Sequence, residues 1–498
     1  MTLRVWNTLS GEKEELRPLH PGRIGIYVCG ITVYDLPHIG HARMLVAFDA
    51  IVRFLRWDGL LVNYVRNWTD VDDKIIRRAG ERGEEPTQLA DRYINECRRD
   101  MERLNIMPAD VEPKATAHVP EMIALISTLI EKGHAYAAAG DVYFAVRSYP
   151  AYGKLSKRNL DDLLSAARVD VTEEQGKAAA LTGEGRRAAA STPQKRDPLD
   201  FALWKATKPG EPESVSWESP WGRGRPGWHI ECSAMAQRYL GTTFDLHGGG
   251  KDLVFPHHEN EIAQSEAASG QPLSSCWLHN GFVTLDAEKM SKSLGNFKTV
   301  RDLLGRWDGE ALRAFLLSTH YRHPINFDEP ALIESDQRID YFYESLLKAD
   351  EYLAKKKWQG EVSHVDQGLT QFRAAMEDDF NTAGALALIV GLYAQLNARI
   401  DAKGPPAEVA ALQYTARTLS HVLGLAPRAP AEAVKERRTL AAARRGIEPA
   451  WVEERIAARL AARKEKDYAQ ADAIRAEALA RGVELRDGTA GTDWRVVG

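Results

Sequence analysis

At 498 residues the chain is too long for one compact core, and roughly 150 residues per domain gives three or four units. Its 44% hydrophobic and 27% charged residues are ordinary for a soluble globular protein, and no apolar run approaches the length of a membrane span, so a membrane protein is not expected. A formal net charge of -5 gives no global signature of nucleic-acid binding, but a local basic surface is enough for one.

The N-terminal stretch, MTLRVWNTLSGEKEELRP, has no basic region followed by an apolar core and is too acidic for a transit peptide, so a cytoplasmic protein is expected. Residues 24–34, IGIYVCGITVY, form an apolar, β-branched run that predicts a strand. From Gly40 to Trp57 apolar residues recur at Leu45, Phe48, Ile51, Val52 and Leu55, the spacing of an amphipathic helix. Asp58-Gly59 stops that helix, and LLVNYVRN reads as the next strand, completing a βαβ unit of a parallel nucleotide-binding sheet. Residues 72–133 are mostly helical in pattern, with a strand signal returning at DVYFAV.

Residues 173–195, rich in Ala, Gly, Thr and charge, predict a mobile surface insertion without chemistry. Short strands are expected between Trp204 and Gly227, and FDLHGGGKDLVFPHHENEIAQSEA reads as strand, glycine turn and a helix beginning at Pro256. Beyond Pro324 the pattern is helical to Leu425. A further helix or linker follows, then a helical pair from Glu448 closed by a hairpin-like VELRDGTAGTDWRVV.

Three groups of residues carry chemistry. His38-Ile39-Gly40-His41 lies between the first strand and its helix, where backbone N–H groups and the positive helix end favour phosphate. Gly40 admits a nucleotide close to the backbone. Read alone, such a pair is more often a cap or surface histidines. Lys289-Met290-Ser291-Lys292-Ser293 places two ammonium groups in a loop that could close over a triphosphate, or simply a solvated charged loop.

Cys29, Cys232, His257 and Glu261 are all competent zinc ligands, and His257 and Glu261 share a helix face at a spacing of four. No C-x-x-C or H-E-x-x-H pattern is present, so spacing alone favours two buried thiols and a helix-capping histidine over zinc. Cys97 and Cys276 carry no signal beyond burial.

Taken together, YVCGITVYDLPHIGHAR, YVRNWTDVDDKI, RPGWHIECSAM, HGGGKDLVFPHHENEIAQSEA and EKMSKSLGNF resemble the cysteinyl-tRNA synthetases, a class I aminoacyl-tRNA synthetase family. The later helical stretch and terminal GTDWR are similar too, so nearly the whole chain is covered and only residues 173–195 stand outside. The resemblance implies an α/β Rossmann-like catalytic domain with an inserted connective segment, an α-helical bundle and a small C-terminal domain. The implied boundaries are 1–118 and 223–324 for the two catalytic halves, 119–222 for the connective insertion, 325–430 for the bundle and 431–498 for an anticodon-binding end.

Carried over by residue, the resemblance makes Cys29, Cys232, His257 and Glu261 the ligands of one zinc ion per chain. Cys29, Gly30, Thr32, Thr69, Trp228 and His247 are placed around the amino acid. His38 and His41 face the ATP phosphates, Gly40, Gly250 and Asp252 the nucleotide, and Lys289 and Lys292 the mobile loop, with Lys292 on ATP. Met44 stands where many members have a hydroxyl residue, and Lys251 replaces a small residue in the glycine turn.

The implied reaction activates L-cysteine with ATP and Mg²⁺ and transfers it to the 3′ adenosine of tRNA-Cys, in a monomer with no membrane partner. The basic run Arg455, Arg459, Arg463, Lys464 and Lys466 suits RNA, or a solvated helix balanced by Glu453, Glu454 and Glu465. Two rivals remain. The ATP-dependent ligase of mycothiol synthesis resembles the same catalytic half and joins cysteine to an amino sugar, with no need of an anticodon-binding end. A catalytically dead RNA-binding paralogue would not keep both motifs and the metal residues.

Overall fold

A short hairpin of β1 (Arg4–Asn7) and β2 (Glu12–Glu15) precedes the element on which the site is built. That element is β3 (Arg23–Thr32), whose Ile24, Ile26, Val28 and Ile31 are at most 4% exposed, as expected for a strand covered on both faces. The computed structural model describes residues 3–160, 195–285, 288–289, 298–488 and 491–497. The expected insertion at 173–195 therefore falls, but for Lys195, outside the described residues, as does Lys292.

Helix α1 (Ile39–Trp57) returns the chain to β4 (Leu61–Thr69), which pairs parallel to β3. Its periodic apolar residues are buried as the spacing predicted, together with Met44. Helices α2 (Asp73–Arg82), α3 (Pro86–Arg103) and α4 (Val119–Glu131) fill the helical stretch that follows. An antiparallel sheet of β5 (Ala135–Ala138), β6 (Asp141–Phe144), β7 (Phe201–Ala206) and β8 (Gly224–Pro226) comes next.

The chain re-enters the central sheet through α5 (Trp228–Leu240), β9 (Phe244–Gly250), α6 (Glu259–Ser269) and β10 (Ser274–Asn280). The sheet is parallel in the order β10-β9-β3-β4. The chain leaves β3 toward one edge and β9 toward the other, so the C-terminal ends of β3 and β9 flank a topological switch point, where open α/β sheets bind ligands. The α6 helix begins at Glu259, not at Pro256 as expected. Residues Val254–His258 form an irregular turn in which Phe255 has non-helical backbone angles, and this turn carries His257. Beyond it, β11 (Val283–Leu285) pairs with β12 (Glu288–Lys289) and with β13 (Ile325–Phe327).

The described chain divides into two units, the first comprising Met1–Arg301, Leu316–Phe327 and Phe372–Ala385. The second contains helices Glu329–Lys355, Pro406–Val422 and Pro430–Arg444, with Ile339, Phe342, Tyr343, Leu346 and Leu419 at 0% exposure. Helices Pro449–Lys464 and Tyr468–Ala480 follow, closed by the hairpin β14 (Val483–Gly488) and β15 (Gly491–Val496). Val452, Val483, Leu485 and Trp494 form their shared core.

Helix Thr382–Asp401 is long and apolar enough, by length and composition, to cross a membrane, which the reading of apolar runs did not anticipate. Ile389, Tyr393 and Leu396 are at 0% exposure on it, the pattern of a packed helix, and Phe342 stacks on Tyr393 at 4.4 Å.

Candidate active site and metal centre

The pairing of β3 with β4 is irregular between Val28 and Ile31, and Cys29-Gly30 sits in that irregularity. A side chain at position 30 would place its Cβ 1.6 Å from the Asn67 carbonyl oxygen, so only glycine lets β4 approach this closely. The Gly30 N–H in turn donates to Asn67 Oδ1 at 2.8 Å. The result is a strand end that turns the Cys29 thiol into the protein, 3% exposed.

Three further elements bring donors to that thiol. Cys232, on the first turns of α5, places its sulfur 3.7 Å from Cys29 Sγ. Glu261, on the first turn of α6, has Oε1 at 3.3 Å from Cys29 Sγ and 3.0 Å from His257 Nε2. Tetrahedral coordination with bonds of about 2.0–2.3 Å separates neighbouring ligand atoms by roughly 3.3–3.8 Å, so little movement is needed to enclose an ion. Burial is complete: none of the four side chains is more than 3% exposed.

Charge is distributed unevenly over this cluster. Burial works against ionising Cys232, but the hydrogen bond from Cys29 and the neighbouring His257 bring its thiol down to about 6. Cys29 is pushed well above the usual thiol range by burial and by Cys232. Burial also disfavours the Glu261 carboxylate, yet His247 and His257 beside it hold it well below its ordinary value. His257 is raised to about 10, Glu261 outweighing the cost of burial. The side chains are thus arranged as a thiolate, a carboxylate and an imidazolium around one point, the last a group that must give up its proton to ligate a metal.

Sequence reading did not single out His258, whose Nε2 lies 3.3 Å from Cys29 Sγ and whose Nδ1 meets His279 Nε2 at 2.8 Å. It makes a second quartet of donors, Cys29, His247, His258 and Glu261, which shares two members with the first. Two sulfurs favour the quartet of Cys29, Cys232, His257 and Glu261 for zinc, since thiolate is the softer ligand. His247 then braces the site from outside, its Nε2 on Glu261 Oε2 at 2.9 Å and its ring stacked on Trp277 at 4.3 Å.

Of the residues assigned to the amino acid, Trp228 and His247 touch this cluster. Trp228, the first residue of α5, stacks on His257 with ring centroids 4.2 Å apart. Thr32 and Thr69 are register partners at the ends of β3 and β4, and Val33 N–H donates to the Thr69 carbonyl at 3.2 Å. Asn67, also missed in the sequence, ties them together: its Nδ2 donates to Thr69 Oγ1 at 3.3 Å while its Oδ1 faces Gly30. A polar residue two positions from Thr69 on the same strand face was the signal available.

His38 caps α1, accepting at Nδ1 from Gly40 N–H at 3.1 Å and His41 N–H at 3.3 Å, while His41 Nδ1 accepts from His38 N–H at 3.2 Å. The capping alternative is therefore real, and the two rings stack at 3.7 Å. A Cβ at Gly40 would sit 2.9 Å from the His38 ring, so a side chain there would have to displace the capping ring.

The far end of the lysine segment reaches this turn. Ile39 N–H donates to the Lys298 carbonyl at 3.1 Å and Val300 N–H to the Pro37 carbonyl at 2.8 Å. Lys289 lies on β12, against β11. Gly250 ends β9, with Lys251 and Asp252 exposed just beyond it.

The basic C-terminal run is less available than its charge suggests. Arg459 is 5% exposed and forks onto Asp487 at 2.7 and 2.9 Å, Arg463 joins the same carboxylate at 2.9 Å, and Arg455 pairs with Glu454 at 2.7 Å. Lys464 and Lys466 remain exposed.

Comparison with known proteins gives three concordant results. Residues 15–337 match the family model for the tRNA synthetases class I (C) catalytic domain, and residues 371–427 match the DALR domain. The cysteine–tRNA ligase of Anaeromyxobacter sp. (strain K) is 52% identical over 507 residues, covering 100% of each chain. That of Syntrophotalea carbinolica is 50% identical over 502 residues, covering 99% of this chain and 100% of its own. Among solved structures, Mycobacterium tuberculosis methionyl-tRNA synthetase in complex with methionyl-adenylate shares the fold, with a TM-score of 0.55 at 17% identity over 86% of this chain and 94% of that one.

Proposed function

The chain belongs to the cysteine–tRNA ligases of the class I aminoacyl-tRNA synthetases, and from that membership we propose that its buried thiol–imidazole–carboxylate cluster is the device that selects cysteine. As a ligase of this family it uses cysteine, ATP and tRNA. Full-length identity to cysteine–tRNA ligases, C-terminal region included, leaves no ground for the amino-sugar ligase or the inactive paralogue. The observation that carries the proposal is the convergence of Cys29, Cys232, His257 and Glu261 at the C-terminal end of β3.

One zinc ion per chain would be held by these four side chains and would supply a Lewis acid with affinity for a substrate thiolate that a serine hydroxyl lacks at neutral pH. Gly30, Thr32, Thr69, Trp228 and His247 hold the amino acid beside it. At the neighbouring end of α1, His38, Gly40, His41 and the helix N-terminus receive the phosphates of ATP, which arrives with Mg²⁺. Gly250 and Asp252 border the adenosine, and Lys289 with Lys292 brings positive charge over the phosphates as the cysteine carboxylate attacks the α-phosphate. The adenylate carbonyl is then attacked by a ribose hydroxyl of the terminal tRNA adenosine, a step that needs positioning more than covalent chemistry. The bundle and C-terminal end bind the tRNA, with Lys464 and Lys466 toward its backbone. The protein works as a cytoplasmic monomer without a membrane partner.

Elemental analysis of purified, active protein combined with tRNA charging tests this reading. About one zinc per chain and attachment of cysteine to tRNA are expected. Active protein free of transition metal, or transfer of cysteine to glucosaminyl-inositol instead of tRNA, contradicts it.

A further inference from the structure

Glu231 is the residue this site leaves unexplained. It lies on α5 three residues after Trp228, on the same face of the helix, and close enough to Cys232 to feel its charge. It is 1% exposed. Burying a carboxyl group is costly unless every oxygen finds a partner. Burial, with the charges of Cys232, Asp72 and Asp70, pushes its carboxyl well above the ordinary range, against which the neighbouring Thr69 side chain works; Thr69 Oγ1 itself accepts from Asn67 Nδ2 at 3.3 Å. One oxygen, Oε2, is buried with no hydrogen-bond partner.

The other acids nearby are already engaged. Asp70 accepts from the Thr116 N–H at 3.0 Å and hydroxyl at 2.6 Å. Asp72 caps α2 through Lys74 N–H at 2.8 Å, and Asp73 pairs with Lys205 at 3.1 Å and with Arg225. Glu261 is shared between His247 and His257. A cluster of acids with one buried oxygen open is a site prepared for a small cation carrying N–H donors.

We propose that Glu231 binds the α-ammonium group of the amino-acid substrate, beside the Asn67–Thr69 hydrogen bond. This rests on the reading of the neighbouring cluster as the seat of the substrate thiol. The two anchors then grip opposite ends of a three-carbon amino acid: sulfur at the metal ligands, nitrogen at Glu231, with Trp228 on the same helix between them. Glu231 thereby supplies specificity of another kind. The metal site reads the thiol, whereas Glu231 rejects thiols that lack an amino group, because such a compound leaves the carboxyl oxygen unpaired.

The probe is 3-mercaptopropionate, cysteine without its amino group, used as an inhibitor of cysteine-dependent ATP–pyrophosphate exchange by the full chain. In the unaltered protein its Ki should exceed the cysteine KM by about 30- to 5,000-fold, the range for losing one partner of a buried charged pair. Glu231→Gln should raise the cysteine KM by a similar factor, leaving the ATP KM, the zinc content and the 3-mercaptopropionate Ki within about threefold. Glu231→Asp, which keeps the charge on a shorter arm, should recover part of the preference. Equal affinity of the unaltered protein for the two thiols overturns the assignment, as does a Glu231→Gln protein that loses zinc or weakens both thiols alike. Absence of cysteine-dependent exchange in the unaltered protein would instead sink the underlying reading of the site.

Discussion

Cys232→Ser should lose its zinc and its cysteine activation together. The substitution keeps the size of the side chain but replaces a thiol drawn down to about 6 by a hydroxyl that stays protonated at neutral pH. It also removes one of two sulfurs that face each other at 3.7 Å in a pocket closed to solvent. Changing an outer partner of a metal ligand typically weakens metal binding by about 10- to 100-fold, so removing a ligand should cost more than about 100-fold. Chelator competition reads the affinity, and pyrophosphate exchange reads the activation. Both should fall while far-ultraviolet circular dichroism is unchanged, because serine keeps the size of the side chain in the first turns of α5 and leaves the helix intact. Full zinc and full activation in this variant would remove Cys232 from the ligand set.

His38→Asn should slow adenylate formation by about 10²- to 10³-fold while costing little stability. Those two outcomes separate roles that the structure superimposes on one residue. His38 Nδ1 caps α1 by accepting from Gly40 and His41 N–H groups. Asparagine is among the best N-cap residues, so the cap is kept, whereas alanine would lose about 1 kcal/mol. What asparagine lacks is an imidazole able to stabilise charge developing on the phosphate, and removing one such donor costs about 10²- to 10³-fold in kcat. Single-turnover adenylate formation gives the rate, and urea denaturation gives the stability. An unimpaired rate in the asparagine variant, with a destabilised alanine variant, would reduce His38 to a cap.

Much of this organisation was legible in the residues because local pattern and tertiary role coincide. The β-branched run at 24–34 became β3, the periodic residues after Gly40 became the buried face of α1, and the two flanks of Asp58-Gly59 became helix and strand. Where role depends on approach in space, the sequence was silent. Glu231 gave no sign of its buried carboxyl, one oxygen of which has no partner, beyond its place beside Cys232. Asn67 gains its importance from a strand that can approach only because residue 30 has no side chain.

The start of α6 was misplaced because Pro256 looked like a first-turn proline, whereas an irregular turn intervenes and presents His257 to Glu261. The basic run after Glu454 was read as a surface, but its acid partner Asp487 arrives from β14, 24 residues beyond Arg463. The contact between Lys298 and Ile39 joins two segments more than two hundred residues apart, and no local periodicity encodes it.

The central claim is that cysteine is chosen by its sulfur and not by the shape of the pocket. Shape alone rejects a near-isostere only by about 10²-fold, whereas a site built around one specific bond to the substrate reaches about 10⁴-fold or more. The direct measurement is the ratio of kcat/KM for cysteine to that for serine in ATP–pyrophosphate exchange by the zinc-replete chain. A ratio above about 10⁴ is expected, and a ratio of about 10² or less would show that the cluster beneath the pocket does not select the substrate.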